Sequence, residues 1–172
     1  MELAGTTVLM VLAEVAIGFA GFSAVVAALF RRRRREGSMP FDEVRFLAML
    51  EFSLEVLIFS LLPLALSLLG IAEQSVWRSV SALLAAVLLF HIVGEYFLSF
   101  RRKAVSIQSI TWSVYIFATV GSGICVIFLI LSAAGIQIAA PAGVYVSCLL
   151  WLLLLAAIHF TRLAWLVASS TD

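Results

Sequence analysis

A run of five arginines, Arg31 to Arg35, follows directly on a 24-residue apolar stretch from Thr7 to Phe30. A helix of about 20 residues, rising ~1.5 Å per residue, crosses the roughly 30 Å hydrocarbon core of a bilayer. Clustered arginine and lysine side chains resist translocation, so they mark the cytoplasmic end of such a helix. The junction predicts an integral membrane protein whose first helix enters the bilayer from the outer side.

Composition agrees with that prediction and excludes a sizeable water-soluble domain. Of 172 residues, 64% are hydrophobic and 12% are charged, and the charged share is about half that of a typical soluble domain. Most basic residues lie in two runs beside apolar segments, where a topogenic or lipid-headgroup role is favoured over nucleic-acid binding. These topogenic residues are Arg31, Arg32, Arg33, Arg34, Arg35, Arg101, Arg102 and Lys103. We therefore expect the lipid bilayer as a partner, and no nucleic acid.

Apolar segments separated by short polar turns predict five transmembrane helices, over about residues 6–30, 44–69, 78–100, 108–134 and 142–167. The fold class is all-α, a polytopic helix bundle with one transmembrane domain over 1–172, built from a first helix (6–30) and two hairpins (40–100 and 108–167). We expect the N-terminus outside and the C-terminus in the cytoplasm. Both basic runs then face the cytoplasm, and the outer loops carry only Arg78.

A weak internal repeat suggests that the second hairpin is a parallel copy of the first. The segment 66–71 (LSLLGI) resembles 131–136 (LSAAGI), and 80–84 (VSALL) resembles 146–150 (VSCLL). Each copy then reaches a histidine, His91 or His159. Two duplicated hairpins would be related by an axis along the membrane normal. The alternative is coincidence in a chain rich in leucine, alanine and serine.

The first helix carries the pattern A-E-x-x-x-G-F-x-G-F over 13–22. This pattern and, less clearly, the segment from Leu61 to Arg78 resemble small bacterial inner-membrane proteins of uncharacterised type. The resemblance implies a multi-pass protein of a bacterial inner membrane and brings no activity with it.

Seven ionisable residues lie within the apolar segments. A charged side chain at the middle of a membrane helix costs about 2.5–3.5 kcal/mol on insertion scales, so such residues are functional candidates. They are Glu14, Glu51, Glu55, His91, Glu95, His159 and Arg162.

Six of these residues fall into two layers when counted from the cytoplasmic ends of their helices. Glu55, His91 and His159 lie about 12–14 Å deep, and Glu51, Glu95 and Arg162 lie about 7–8 Å deep. Within each helix the two residues are three or four positions apart and share one face. We expect helices two, three and five to bring these side chains together in the inner leaflet.

Such a cluster suggests three functions. With neutral histidines and ionised carboxyls it carries a surplus of two negative charges, which favours proton or cation handling, with a homo-oligomer or another membrane protein completing the path. Alternatively Glu55, His91 and His159 hold a divalent metal, or the two histidines ligate a b-type haem. The third hypothesis is a scaffold or accessory subunit whose polar cluster only fixes helix order.

Two further observations bear on function. Glu14 lies one turn before Gly18, so we expect it to face a close helix contact and to act either as an outer-side acid or as a structural hydrogen-bonding group. An enzyme is not favoured, because the sequence has no nucleophile elbow, no phosphate-binding glycine loop and no H-E-x-x-H spacing.

Overall fold

The computed structural model describes Leu3 and residues 5–34, 41–101, 112–136 and 140–169, with side chains over 5–25, 46–94, 116–136 and 140–162. Within these residues the chain is helical and contains no strand. The five helices are α1 (Thr6–Arg34), α2 (Phe41–Leu68), α3 (Glu73–Arg101), α4 (Trp112–Ala133) and α5 (Pro141–Ser169). The prediction of an all-α chain with five long helices is confirmed.

Helix bounds differ from the predicted ones mainly at the start of α3. The sequence predicted a turn up to residue 75, but the helix begins at Glu73. The carbonyl of Ala72 accepts hydrogen bonds from the backbone N–H groups of Ser75 (2.8 Å) and Val76 (3.0 Å), which forms the first helical turn. A glutamate in the first turn suits the positive end of the helix dipole. The polar residues of this segment therefore belong to the helix.

Two glycines end helices in the same way. Gly70 follows α2 with φ +74°, and Gly135 follows α4 with φ +79°. Their backbone N–H groups donate to the carbonyls of Ser67 and Ser132, both at 3.1 Å. This left-handed glycine cap is a common end of a helix, because other residues pay a steric penalty there. The duplication stays a prediction, but the two resembling segments share the left-handed glycine and its hydrogen bond to a serine carbonyl.

The described side chains show an inside-out distribution of polarity. Large apolar side chains are exposed on the helix surfaces, among them Ile58 (58%), Phe90 (75%) and Ile127 (59%). The polar side chains that are buried are serines, namely Ser23, Ser53, Ser60, Ser81 and Ser122. A water-soluble protein rarely exposes so much apolar surface, so these faces fit the hydrocarbon of a bilayer.

Each helix contains a segment long and apolar enough to cross a membrane, by length and composition. These segments are Thr6–Val25, Phe46–Leu68, Glu73–Gly94, Ile116–Ala133 and Pro141–Arg162. Their lengths, 18 to 23 residues, match the roughly 20 residues that a bilayer requires. The structure thus indicates a multi-pass membrane protein.

Two compact units make up the chain. The first comprises Met1–Leu64 and Leu149–Asp172, and the second comprises Ala65–Cys148. In the first unit α1 packs on α5 through Phe160, whose ring meets Phe19 and Phe22 edge-on with centroids 6.0 and 5.0 Å apart. The prediction of a single transmembrane domain stays a prediction.

The second unit is built around α3 and α4, which pack against each other. The beginning of α5 joins them through Tyr145, which is fully buried and lies 5.7 Å from the ring of Trp77 on α3. The thiol of Cys148 on α5 contacts the carbonyl oxygen of Cys125 on α4 at 3.9 Å, and both cysteines are free thiols. These contacts hold the first part of α5 against α3 and α4 in this unit.

Candidate functional site

Two glutamates of α2 form the centre of the candidate site in the first unit. Glu51 and Glu55 are one helical turn apart, and a carboxylate oxygen of one lies within 4.8 Å of a carboxylate oxygen of the other. Glu51 is exposed, whereas Glu55 is half-buried and its Oε2 atom has almost no accessible surface. Both belong to the membrane-spanning segment Phe46–Leu68. The i,i+4 spacing therefore places two carboxylates on one face, as predicted.

Helix α5 brings a histidine to the same level of α2. The imidazole ring of His159 stacks on Phe52 with a centroid distance of 5.9 Å and an interplanar angle of 24°. Phe52 lies three residues before Glu55, so the two side chains share a face of α2. His159 is half-buried, and its Nδ1 atom has almost no accessible surface. The contact shows that α2 and α5 meet at Phe52 and His159, and the convergence of their ionisable side chains stays a prediction.

Arg162 is the second predicted site residue on α5. It is half-buried and follows His159 by three residues, so the two side chains project from one face of the helix. It is also the last residue of the membrane-spanning segment of α5. Its guanidinium adds a permanent positive charge to a set of side chains that otherwise holds two carboxyls and an imidazole.

The arrangement of α2 is suited to a small positive species. Two ionised carboxylates this close repel each other strongly where water is scarce. A proton shared by Glu51 and Glu55 would remove the repulsion, and so would a cation bound by both. Two oxygens that bind one cation at about 2.0–2.6 Å each are at most about 5 Å apart, and the spacing of these glutamates meets that limit.

The other predicted site residues lie elsewhere in the chain. His91 and Glu95 are on α3, in the second unit; His91 is half-buried, and the side chain of Glu95 lies outside the described residues. Their convergence with α2 and α5 stays a prediction, as does the metal set of Glu55, His91 and His159.

The predicted close helix contact of Glu14 stays a prediction. Glu14 and Gly18 do share a face of α1, but both are exposed. A Cβ atom built on Gly18 or Gly21 would meet nothing within 4 Å. The face of α1 that carries Glu14, Gly18 and Gly21 is thus exposed in this chain.

The basic runs flank the apolar segments. Helix α1 continues through Arg34, and Arg101 is the last residue of α3. Arg35, Arg102 and Lys103 lie outside the described residues.

Two contacts were missed by sequence reasoning. Phe52 was not chosen, although its position one residue after Glu51 and three before Glu55 could have suggested a packing role. The guanidinium of Arg78 lies against Gly135, so closely that a Cβ atom there would be 3.0 Å from its Cζ. The only sequence signal for this close contact was the glycine that follows α4.

Comparisons with protein-family models, with curated proteins and with solved structures found no match to this chain.

Proposed function

We propose that this protein handles protons or cations in a membrane, through a polar site formed by Glu51, Glu55, His159 and Arg162. The observation that carries the proposal is the pairing of Glu51 with Glu55 inside a membrane-spanning segment, beside the histidine that stacks on Phe52. Ionisable residues at such depths are costly and mark proton or ion pathways in membrane proteins. The charges of these side chains therefore support a site that binds a proton or a cation.

The chemistry of the four side chains fits transfer better than permanent binding. Imidazole changes its charge close to neutral pH, so His159 is suited to accept and release a proton. The guanidinium of Arg162 stays charged and offsets one carboxylate. Two carboxylates, one guanidinium and a neutral imidazole leave a surplus of one negative charge, which one proton or one monovalent cation neutralises.

The wider proposal includes the remaining ionisable residues and the orientation. His91 and Glu95 fall at matching depths along α3 and extend the site, and Glu14 serves as an outer-side acid in an oligomer. The protein lies in a bacterial inner membrane, with its N-terminus on the outer side and its C-terminus in the cytoplasm. This orientation is supported by the two basic runs, because clustered arginine and lysine remain on the cytoplasmic side.

Purified protein in liposomes tests the proposal directly. An imposed pH gradient, with the membrane potential clamped by valinomycin and potassium, is followed with an enclosed pH-sensitive dye. We expect the protein to dissipate the gradient and Glu55→Gln to reduce the flux to the rate of empty liposomes. Glu43→Gln is the matched control, because Glu43 is on the same helix but precedes the segment that begins at Phe46.

Two outcomes would contradict proton handling and select another function. Tight liposomes together with a stoichiometric transition metal or a haem spectrum in the purified protein would favour a redox or metal protein using His91 and His159. Tight liposomes with colourless, metal-free protein, and a Glu55→Gln variant that folds in lower yield, would favour a scaffold. A flux of other cations without proton movement would support the same site with a metal or other cation, and not a proton, as its substrate.

A further inference from the structure

The second unit contains a cleft at the end where α3 and α5 begin and α4 ends. It is partly open to solvent, and the empty space in it and at its mouth together amounts to about 400 Å³. Its polar lining comes from Gln74, Arg78 and Ser132, and its apolar wall includes Phe128 and Leu131. None of these residues belongs to the proton or cation site proposed above.

Among the described residues that line the cleft, Arg78 is the only charged one. Its guanidinium lies against Gly135, where α4 ends and where the last carbonyls of the helix carry partial negative charge. This contact holds the cation at the cleft. A guanidinium has five N–H donors in a planar fork, so packing against one helix end leaves donors for an anion. Planar oxyanions and phosphates are the groups that this fork binds best.

A second polar group in the cleft is a serine hydroxyl. The Oγ atom of Ser132 has almost no accessible surface and has no hydrogen-bond partner within the part of the chain that the structure describes. A buried hydroxyl without a partner costs free energy, and an anionic oxygen in the cleft would accept its hydrogen bond. The amide of Gln74 is a further donor in the same lining.

Trp77 forms a fixed wall of the cleft. Its ring is almost fully buried (3% exposed) and lies beside Tyr145, and its indole N–H donates to Oε1 of Glu73 at 3.3 Å. Glu73 is not among the described residues that line the cleft, so the net charge of the described lining is positive. The cleft is thus complementary to a single negative charge.

The position of the cleft along the helices identifies the source of that charge. The membrane-spanning segments of α3 and α5 start at Glu73 and Pro141, and that of α4 ends at Ala133. The cleft therefore lies at the membrane interface, the level of lipid headgroups, where tryptophan side chains are enriched. Anionic phospholipid headgroups also lie at this level, and a guanidinium binds phosphate oxygens well.

We propose that this cleft binds the phosphodiester of an anionic phospholipid such as phosphatidylglycerol. The phosphate oxygens accept hydrogen bonds from Arg78 and Ser132, and an acyl chain lies along the apolar wall formed by Phe128 and Leu131. The phosphodiester carries one negative charge and its headgroup carries no cation, which matches the single charge of the lining.

The test titrates the full chain in dodecylmaltoside micelles with three probes: dioctanoyl phosphatidylglycerol, dioctanoyl phosphatidylcholine and inorganic phosphate. Binding is measured by native mass spectrometry and by the shift in melting temperature. We expect saturable binding of phosphatidylglycerol, weaker binding of phosphatidylcholine and no stabilisation by inorganic phosphate. Arg78→Gln should weaken phosphatidylglycerol binding about tenfold, the loss expected for one charge-assisted contact.

Two control variants separate binding from folding. Arg33→Gln removes the same charge from the basic run and should leave phosphatidylglycerol affinity unchanged. Ser132→Ala removes the buried hydroxyl, so it should keep the melting temperature of the lipid-free protein and still weaken lipid binding; it serves if Arg78→Gln does not fold. Equal phosphatidylglycerol affinity in the parent and in either cleft variant would overturn the proposal. Equal stabilisation by inorganic phosphate would also overturn it, by assigning the cleft to a free anion.

Discussion

Replacing Gly135 with alanine should destabilise the protein more than the same replacement at Gly70. Both glycines end a helix in the left-handed region, with φ +79° and φ +74°. Their surroundings differ. A Cβ atom at Gly70 would meet nothing within 4 Å, whereas one at Gly135 would overlap Nη2 of Arg78 and lie 3.0 Å from its Cζ and 3.4 Å from its Nε.

The magnitudes follow from two separate costs. The left-handed conformation costs an alanine about 1–2 kcal/mol, partly offset because alanine restricts the unfolded chain. Gly70→Ala is therefore expected to lower the free energy of unfolding by roughly 1 kcal/mol. Gly135→Ala carries the same cost and also displaces the guanidinium from the end of α4, an interaction worth about 0.3–1 kcal/mol. The total for Gly135→Ala is roughly 1.5–2 kcal/mol.

Reversible unfolding in mixed detergent micelles, followed by far-ultraviolet circular dichroism, measures both variants. The contact with Arg78 is isolated by a double-mutant cycle, because Arg78→Ala removes the group that the new Cβ atom would meet. In the Arg78→Ala background, Gly135→Ala should cost no more than Gly70→Ala. Equal costs of the two glycine replacements in the parent protein, or an excess that persists without Arg78, would refute the reasoning.

Two other predictions concern packing and orientation. Phe160→Leu keeps an apolar side chain but loses the edge-on contacts with Phe19 and Phe22, so the free energy of unfolding should fall by about 1–2 kcal/mol; an unchanged value in the same unfolding assay would mean that α1 does not depend on these rings. A fluorescent protein fused after Asp172 should fold in the cytoplasm of a bacterial host, and alkaline phosphatase inserted at Gly70 should be active outside; the reverse pattern would contradict the proposed topology.

The number and type of the helices could be predicted from the sequence because the bilayer itself dictates the signal. A segment of about 20 apolar residues needs an internally hydrogen-bonded structure in lipid, and a helix provides it. The ends near Gly70 and Gly135 were also predictable, since glycine is the usual residue in a left-handed cap. The start of α3 was not, because Glu73 looks like a loop residue unless the hydrogen bonds to the Ala72 carbonyl are known.

The direction in which each helix faces was harder to predict. In a soluble helix the polar face points to water and the apolar face to the core, so one pattern gives both. In a lipid-exposed helix both faces are apolar, so the small-residue pattern around Gly18 does not tell which neighbour, if any, that face contacts. The pair Glu51 and Glu55 was predictable from spacing within one helix. The stacking of His159 on Phe52 was not predictable, because it depends on how α2 and α5 are oriented about their own axes, and residue spacing within one helix does not give that orientation.

The charge of the site in the first unit decides between transport and a purely structural role. Glu51, Glu55, His159 and Arg162 all belong to this unit, so the decision does not depend on His91 or Glu95. With both carboxyls ionised and the imidazole neutral, these four side chains would carry a surplus of one negative charge, which is a cost in a membrane. Glu55→Gln removes this surplus and keeps the shape of the side chain, so a protein that retains the charge only for transport should lose flux and keep or gain stability. If the carboxylate instead holds α2 and α5 together, the same variant should unfold more easily, because a buried ionic contact loses one of its partners. Measuring the flux and the free energy of unfolding of one variant therefore separates the two functions, since only the structural role predicts a loss of stability.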